Sequence, residues 1–339
     1  MKNLKKIGLS ALAGSLVAFS ASAVEMSVTG TSEITYTTGG EHAGSTSGNP
    51  WGSNTSIKFS GSGDVGFGTA SIVRTLQDNN GDNSTTAEGE YVSAYSTLDM
   101  GDMGTLMFDS TGGALTGIRG NRDKLPTAYE EVWHGVGGNG MLSAGSANVL
   151  GYKNAFGPIS FNLAHVKADG RSGSGDGTNT GAGSTTSSSD AYVQFDDTGV
   201  SGLTVGFGVH TQSNDVVIAN ATGENSNIVA HVNYVSGPIS VGYRENHAQS
   251  GTAGTAGQTV KGYGIAFAVN DELSLSFAQQ DREFDNVSST NVTEDSSAVN
   301  ASYTMGSASI RLSYGESDNA AGAKGVKDEA TEISLLLSF

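Results

Sequence analysis

The chain has 339 residues, of which 49 are glycine and 4 are proline, and only 36% of its residues are hydrophobic. This composition argues against a large helical or α/β protein, because glycine is unfavourable inside helices and a large core needs more apolar side chains. The formal net charge of −17 argues against a nucleic-acid partner, and the absence of cysteine excludes disulfides and thiol chemistry.

The first residues have the three parts of a secretory signal peptide. A basic start with Lys2, Lys5 and Lys6 precedes the apolar run "IGLSALAGSLVAFS", and the small residues 21–23 form an A-x-A cleavage site. The apolar run is short and is interrupted by glycine and serine, which disfavours a membrane anchor. We therefore expect residues 1–23 to be cleaved on export and residues 24–339 to form one domain.

The rest of the chain alternates between short segments and two kinds of connection. Seven connections are tight and rich in Gly, Asp, Asn and Pro, as hairpin turns require: "GSGDVGFG", "DMGDMG", "NAFGP", "DDTGVSG", "VSGP", "VNDE" and "MGS". Eight longer polar connections are centred near residues 46, 83, 128, 178, 219, 252, 289 and 320. Seven turns and eight longer connections predict sixteen strands.

Within the segments, apolar and polar residues alternate with a period of two. "SVTGTSEITY" places Val28, Ile34 and Tyr36 on one face, and "ISVGYREN" repeats the scheme with Arg244 on the polar face. The faces of "SIVRTL" and "YVSAYS" stay unassigned. An open sheet of this size would expose its edges, and strands of about ten residues match a tilted bilayer span. The sequence therefore predicts an all-β fold, a transmembrane antiparallel β-barrel of sixteen strands with short periplasmic turns and long extracellular loops.

The chain ends in "TEISLLLSF", a strand without a tail. Ile333, Leu335, Leu337 and Phe339 fall on one side of the alternation. In a closed barrel this last strand pairs with the first. A terminal aromatic preceded by alternate apolar residues also resembles the signal that the barrel assembly machinery reads in outer-membrane barrels.

The signal peptide, "VEMSVTGTSEITYTT", the hairpin "YVSAYSTLDMGDMGTLMFDST" and the terminal "EISLLLSF" together resemble the general porins of Gram-negative bacteria, in particular the sixteen-stranded alphaproteobacterial type. The resemblance covers the whole mature chain. It implies a homotrimer in the cell outer membrane, with water-filled channels for passive diffusion of small hydrophilic solutes and ions. It also implies a third loop that folds into the pore, here from about Thr111 to Gly145.

The resemblance further implies a constriction with acids on the loop and bases on the facing wall. The loop carboxylates are Asp123, Glu130 and Glu131, and Asp109 on the lumen parity of the preceding strand adds a fourth. The wall bases on lumen parity are Lys58, Arg244 and Arg311, with Arg282 nearer the rim. Opposed charges would create a transverse field and a preference for cations. The alternative is that the loop acids form ordinary surface pairs with neighbouring basic residues.

Other functions find little support in the sequence. No nucleophile motif is present, so an enzyme is not expected. No cofactor is expected, apart from a Ca²⁺ ion held by acidic connection residues such as Asp78 and Asp82 together with lipopolysaccharide. Two alternatives stay open: a substrate-selective channel, and a plugged structural or adhesive barrel.

Overall fold

The computed structural model of the chain describes residues 25–39, 49–78, 91–109, 125–130, 149–166, 186–214, 224–251, 257–285 and 292–339. Two short 3₁₀ helices, Gly101–Met103 and Ala320–Gly322, lie between strands. Across the described ranges, no helix has the length and apolar character needed to cross a membrane. The strands are β1 (Glu25–Gly39), β2 (Trp51–Asp64), β3 (Thr69–Asp78), β4 (Tyr91–Asp99), β5 (Thr105–Asp109), β6 (Val149–Phe156), β7 (Ile159–Val166), β8 (Thr186–Asp196), β9 (Leu203–Asn214), β10 (Asn225–Ser236), β11 (Ile239–Gln249), β12 (Gln258–Ala268), β13 (Leu273–Phe284), β14 (Glu294–Met305), β15 (Ala308–Asp318) and β16 (Lys327–Ser338).

The strands form one closed barrel in which each strand pairs antiparallel with its neighbours in sequence. The barrel closes where β1 pairs with β16, from Thr31 opposite Ser338 to Gly39 opposite Ala330. Closure continues to the last residue, since the Gly30 and Phe339 backbones exchange hydrogen bonds of 2.7 and 2.9 Å. Every strand therefore has two partners and the sheet has no open edge. The predicted sixteen-stranded β-barrel is confirmed.

The turn chemistry explains why the strands reverse where they do. Three of the tight connections have only two residues and begin with glycine, at Gly157, Gly237 and Gly306, whose φ angles are +57°, +55° and +59°. Positive φ at the first turn position suits a two-residue hairpin between right-twisted strands, and glycine adopts it without steric cost. The seven tight turns fall where the sequence predicts them.

Successive side chains alternate between an outer and an inner face of the barrel, and burial separates the two. On β11 the outer Ile239, Val241 and Tyr243 are 43, 40 and 38% exposed, whereas the inner Arg244 and Asn246 are fully buried. The same arrangement holds around the barrel: most buried residues are polar, and many large apolar residues are exposed, the reverse of a soluble protein. Apolar outer and polar inner faces are what a barrel in lipid requires.

Candidate pore lining and constriction

Residues 125–130 belong to the connection between β5 and β6, and they run along the inner wall of the barrel. Leu125 is buried, with 7% of its surface exposed, and it lies against β12. A Cβ atom at Gly262 would lie 2.9 Å from Leu125 Cδ1, and one at Gly264 would lie 3.1 Å from the Pro126 carbonyl oxygen. On β11, a Cβ at Gly242 would lie 2.5 Å from Pro126 Cδ. The three inner-face glycines, Gly242, Gly262 and Gly264, therefore form a seat, the glycine seat, on which Leu125 and Pro126 lie directly against the strand backbone.

The next two residues bind the wall by hydrogen bonds on β13. The Ala128 amide donates to Ser276 Oγ at 2.9 Å, and Thr127 Oγ1 lies 3.4 Å from the same oxygen. Thr127 Oγ1 also donates to the Glu130 carbonyl at 2.5 Å, which closes a small turn. Ser276 is 7% exposed, so this hydroxyl faces the connection rather than open water.

Tyr129 then reaches the line where the barrel closes. Its hydroxyl donates to Glu332 on β16 and lies 3.2 Å from Glu33 Oε1 on β1. Arg311 on β15 forms an ion pair with Glu33, and its guanidinium carbon lies 4.2 Å from the centre of the Tyr129 ring. Ser334 donates to Glu33 and accepts from Arg311 at 3.0 Å. We call Glu33, Tyr129, Arg311, Glu332 and Ser334 the seam cluster.

The seam cluster joins three strands and the inward connection through charge-assisted hydrogen bonds, which are stronger than neutral ones. Burial and the hydrogen bond to Glu332 raise the pKa of the Tyr129 hydroxyl above its ordinary value. The hydroxyl therefore stays protonated and available as a donor. Arg311 offsets part of the repulsion between the Glu33 and Glu332 carboxylates, which both approach the same hydroxyl.

All four predicted wall bases lie on the inner face, but two of them are paired with acids on the wall itself. Arg311 pairs with Glu33, and Arg282 pairs with Glu294 on the neighbouring strand β14. Arg244 is fully buried and donates to Gln280 Oε1 at 2.7 Å.

The fourth base, Lys58 on β2, is exposed to the lumen. Inner-face pairing also places Lys153 of β6 on the lumen side, opposite Thr105.

The predicted acids are only partly within the described residues. Asp109 ends β5 on the inner face, 1% exposed, opposite Tyr95 and Val149. Glu130 lies in the segment that follows the seat and is partly buried. Asp123 and Glu131 lie outside the described residues, as does Asp82.

Strands β8 to β10 add a set of buried polar pairs to the lining. His210 Nδ1 lies 2.6 Å from Asp190 Oδ1, and Tyr192 Oη lies 2.6 Å from His231 Nε2. Gly206 on the intervening strand makes room for the second pair, since a Cβ there would overlap the His231 ring and the Tyr192 hydroxyl. Within the described ranges, no three His, Asp or Glu side chains converge as a metal site would require.

The C-terminal residues occupy the position that barrel closure demands. Ile333, Leu335, Leu337 and Phe339 lie on the outer face and are 49, 37, 42 and 74% exposed. The Phe339 ring covers Gly30, where a Cβ atom would overlap it. The terminal aromatic is thus part of the β1–β16 closure.

Sequence reasoning missed three parts of the site: Tyr129, Glu332 and the glycine seat. Glu332 falls on the polar parity of the last strand, which is a usable signal. Glycine at inner positions of β11 and β12 is a second signal, because small inner residues leave space for something to lie there. Tyr129 lies in an irregular connection, where no periodic pattern assigns a direction to its side chain.

The sequence model of the Gram-negative porin family matches residues 8–338 of this chain. The chain belongs to the Gram-negative porin family. It is therefore an outer-membrane channel protein rather than an enzyme.

Solved structures agree on the fold at low sequence identity. The anion-selective porin from Comamonas acidovorans has a TM-score of 0.67 and 12% identity, with 93% of this chain and 100% of that chain covered. OmpF of Salmonella typhi, in complex with daunomycin, has a TM-score of 0.68 and 10% identity, with 93% and 97% covered. The outer membrane channel DcaP of Acinetobacter baumannii has a TM-score of 0.62 and 14% identity, with 93% and 97% covered. No curated protein sequence matches this porin.

Proposed function

We propose that this porin forms a water-filled channel for the passive diffusion of small hydrophilic solutes and ions, with a preference for cations, and that it works as a homotrimer. The observation that carries the cation preference is the pairing of the wall arginines. Arg311 and Arg282 each form an ion pair with a wall glutamate, so their positive charge is largely cancelled before a solute meets it.

Outside these two ion pairs, the described inner face carries more acidic than basic side chains. Besides the two ion pairs of Arg282 and Arg311, the wall carries the acids Asp109, Asp190, Asp196 and Glu332, of which Asp190 lies against His210, and the connection adds Glu130. The bases outside those pairs are Lys58, Lys153 and Arg244. Charges act on a permeating ion only within roughly 8 to 10 Å at physiological salt, so the acids near the inward connection have the largest effect.

The distribution of aromatic side chains supports general diffusion over selective transport of a ligand such as a sugar. A sugar-binding path needs stacking platforms in sequence along the pore. On the described strands, the inner-face aromatics Tyr95, Tyr192 and Phe284 lie on β4, β8 and β13, which are not neighbours. They do not form a continuous path.

The remaining roles rest on the resemblance to porins and on residue position. Asp123 and Glu131 complete the acidic side of the constriction with Asp109 and Glu130. Phe339 and the outer apolar residues before it serve as the recognition signal for the barrel assembly machinery. Lipopolysaccharide surrounds the barrel, and Ca²⁺ ions link its phosphate groups to the acidic connections of the porin.

Conductance of the purified porin in a planar bilayer under a salt gradient tests the proposal. We expect current steps in threes and a reversal potential of cation-selective sign. Replacing Glu130 and Glu131 together by Gln should lower the cation preference, because two negative charges leave the constriction. Glu283→Gln is the matched control, since Glu283 is exposed on the outer face of β13.

Two outcomes would count against the proposal in different ways. A folded, heat-modifiable barrel that conducts no current would support the plugged or adhesive alternative. A reversal potential that is identical in the double variant, the control and the unmodified porin would remove Glu130 and Glu131 from the filter.

A further inference from the structure

The connection between β15 and β16 folds inward over the edge of the barrel. The structure describes residues 319–326 without a gap, and we call them the strap. The Ala320 amide donates to the Val326 carbonyl at 3.0 Å and closes the base of the strap. Ala320 is 3% exposed and Gly322 is also buried, whereas connections usually lie exposed on the surface. The strap is therefore packed against other parts of the barrel.

The strap first contacts the start of β14. Asn319 Nδ2 donates to the Thr293 carbonyl at 3.0 Å, and the Ala321 amide donates to Glu294 Oε2 at 3.0 Å. Glu294 lies on the inner face of β14, opposite Arg282 of β13. Because this carboxylate points into the barrel, the strap reaches it from the lumen side of the wall.

Glu294 is a buried carboxylate that joins the strap to three strands. It is 1% exposed. Besides the Ala321 amide, it accepts hydrogen bonds from Arg282 Nε of β13 at 2.9 Å, Ser317 of β15 at 3.2 Å and Ser296 of β14 at 3.4 Å. Hydrogen bonds to an ionised group are stronger than neutral ones, so this carboxylate is a firm anchor for the strap.

The strap next lies against the inner face of β13. A Cβ atom at Gly322 would lie 2.8 Å from Phe284 Cδ2 and Cε2, so the strap backbone rests directly on this ring. Phe284 is opposite Gln258 on the inner face, and the Arg282 guanidinium carbon lies 5.0 Å from the centre of its ring. The Gly322 carbonyl also accepts the Val292 amide at 3.3 Å.

The docked strap has an unfavourable backbone conformation. Asn319 and Ala321 have φ angles of +58° and +55°, although neither is glycine. A side chain with a Cβ atom disfavours this left-handed region, and such conformations persist where the surrounding structure holds them. We therefore expect the strap to leave the wall when its contact with Glu294 or Phe284 is lost.

We propose that the strap is a size filter at the extracellular entrance of the pore, held in its docked position by Glu294 and Phe284. The long connections of such barrels are extracellular, so the strap lies where solutes enter from outside. On β13, Phe284 lies eight residues beyond Ser276, which binds the inward connection. This separation corresponds to a difference in depth of about 19 Å, at about 3.3 Å per residue and a tilt of about 45°.

The strap thus narrows the lumen at a second depth, outside the constriction. Its release returns that part of the cross-section to solutes and admits larger ones to the entrance. The inference rests on the water-filled channel of the proposed function, and it concerns access to that channel rather than the charges of the constriction.

Gly322→Ala tests the docking of the strap against a matched control. The φ angle of Gly322 is +75° and that of Gly325 is +78°, so alanine brings similar backbone strain at both positions. Only the alanine at position 322 meets the Phe284 ring, since a Cβ at Gly325 has nothing within 4 Å. The Ala321 amide exchanges with solvent when it leaves Glu294. We expect its hydrogen exchange to be at least several-fold faster in Gly322→Ala than in Gly325→Ala.

Polymer exclusion in a planar bilayer measures the entrance itself. Polyethylene glycol that enters a pore mouth lowers the conductance, so the smallest excluded polymer on each side reports the width of that entrance. The chain has no cysteine, and biotin on Asp271→Cys, in the exposed turn between β12 and β13, identifies the periplasmic side by streptavidin binding. We expect the extracellular cutoff to shift to larger polymers in Gly322→Ala but not in Gly325→Ala. The periplasmic cutoff should stay unchanged in both.

Glu294→Gln provides a second variant if Gly322→Ala does not fold. It removes the charge that strengthens the bond to the Ala321 amide and keeps the shape of the side chain, so it should shift the extracellular cutoff in the same direction. Glu283→Gln, on the outer face of β13, should leave this cutoff unchanged.

An extracellular cutoff that is the same in folded Gly322→Ala and Gly325→Ala would overturn the proposal, even if the Ala321 amide exchanges faster. Conductance separates this result from failure of the proposed function. A porin that conducts no current would overturn the channel and the filter together, whereas a conducting porin with an unchanged cutoff rejects the filter alone.

Discussion

Tyr129→Phe should loosen the inward connection while leaving its packing in place. The exchange removes the hydroxyl that donates to Glu332 but keeps the ring that lies against Arg311. A hydrogen bond to a charged group contributes about 1.5–3 kcal/mol. Water can solvate part of the freed carboxylate, so we take the lower end. About 1.4 kcal/mol corresponds to a tenfold change in an equilibrium, and the undocked population should therefore rise about tenfold.

Hydrogen exchange measures this change at a defined atom. The Ala128 amide donates to Ser276 Oγ at 2.9 Å, so it exchanges only when the segment leaves the wall. We expect this amide to exchange about tenfold faster in Tyr129→Phe, in line with the population estimate. Single-channel recordings should show more frequent brief current transitions. Tyr129→Ala, which also removes the ring from Arg311, should exceed both effects.

Tyr152→Phe is the control for loss of a tyrosine hydroxyl elsewhere in the barrel. Tyr152 donates to the Met103 carbonyl at 2.7 Å, beside the β4–β5 turn. This variant should leave the exchange of Ala128 and the current trace unchanged. If Tyr129→Phe also leaves both unchanged, the seam cluster does not hold the connection and the reasoning fails.

Two further predictions concern the wall. Arg311→Met and Lys58→Met each remove one positive charge from the lumen, so reversal potentials should become more cation-selective in both. Only Arg311→Met should also lower the free energy of unfolding in urea, by about 2 kcal/mol. This figure lies between the small cost of breaking an exposed ion pair and the roughly 3–5 kcal/mol of breaking a buried one. Equal urea midpoints for the two variants would contradict the prediction. Gly264→Ala should displace the seated connection into the pore and lower single-channel conductance, because the nearest atom to its Cβ would be the Pro126 carbonyl oxygen, at 3.1 Å. Gly61→Ala should leave conductance unchanged, since its nearest contact would be 3.7 Å, and a normal conductance in Gly264→Ala would refute the glycine seat.

The strand count and turns could be predicted from sequence because their causes are local. A two-residue turn such as Gly237-Pro238 can be recognised because its residue types favour the turn conformation. Each strand can be recognised from the alternation of its own apolar and polar side chains. Closure then follows from the physical cost of open edges. None of these inferences requires knowing which distant residues meet.

The seat and the seam cluster could not be predicted in this way. Tyr129 meets Glu33 and Glu332, which are 96 and 203 residues away in the chain. Lumen parity alone places Glu33 and Arg311 on the inner face, but it does not reveal that they neutralise each other across β16. A wall base identified by parity is therefore a candidate for a pair as much as for a filter.

The unassigned face of β3 has a specific physical cause. In "SIVRTL" the apolar Ile72 and the charged Arg74 share the outer face, while the apolar Val73 faces inward. Alternation assigns the faces of a strand only where apolar residues lie on one side and polar residues on the other. In this strand an apolar residue points each way and a charged residue lies outward, so the pattern gives no assignment.

The low apolar content and the 49 glycines, which argued against a packed core, reflect a difference between the two faces of the barrel wall. On β12 the inner Gly262 and Gly264 alternate with the outer Tyr263 and Ile265, which are 45 and 44% exposed. Large side chains are placed where lipid receives them, and small ones where the connection needs room. Because a Cβ at either glycine would press against Leu125 or Pro126, the depth of the constriction is set by side chains that are absent from the wall as much as by the charges that line it. Enlarging the inner face at the seat should therefore narrow the pore without adding any group to the constriction itself.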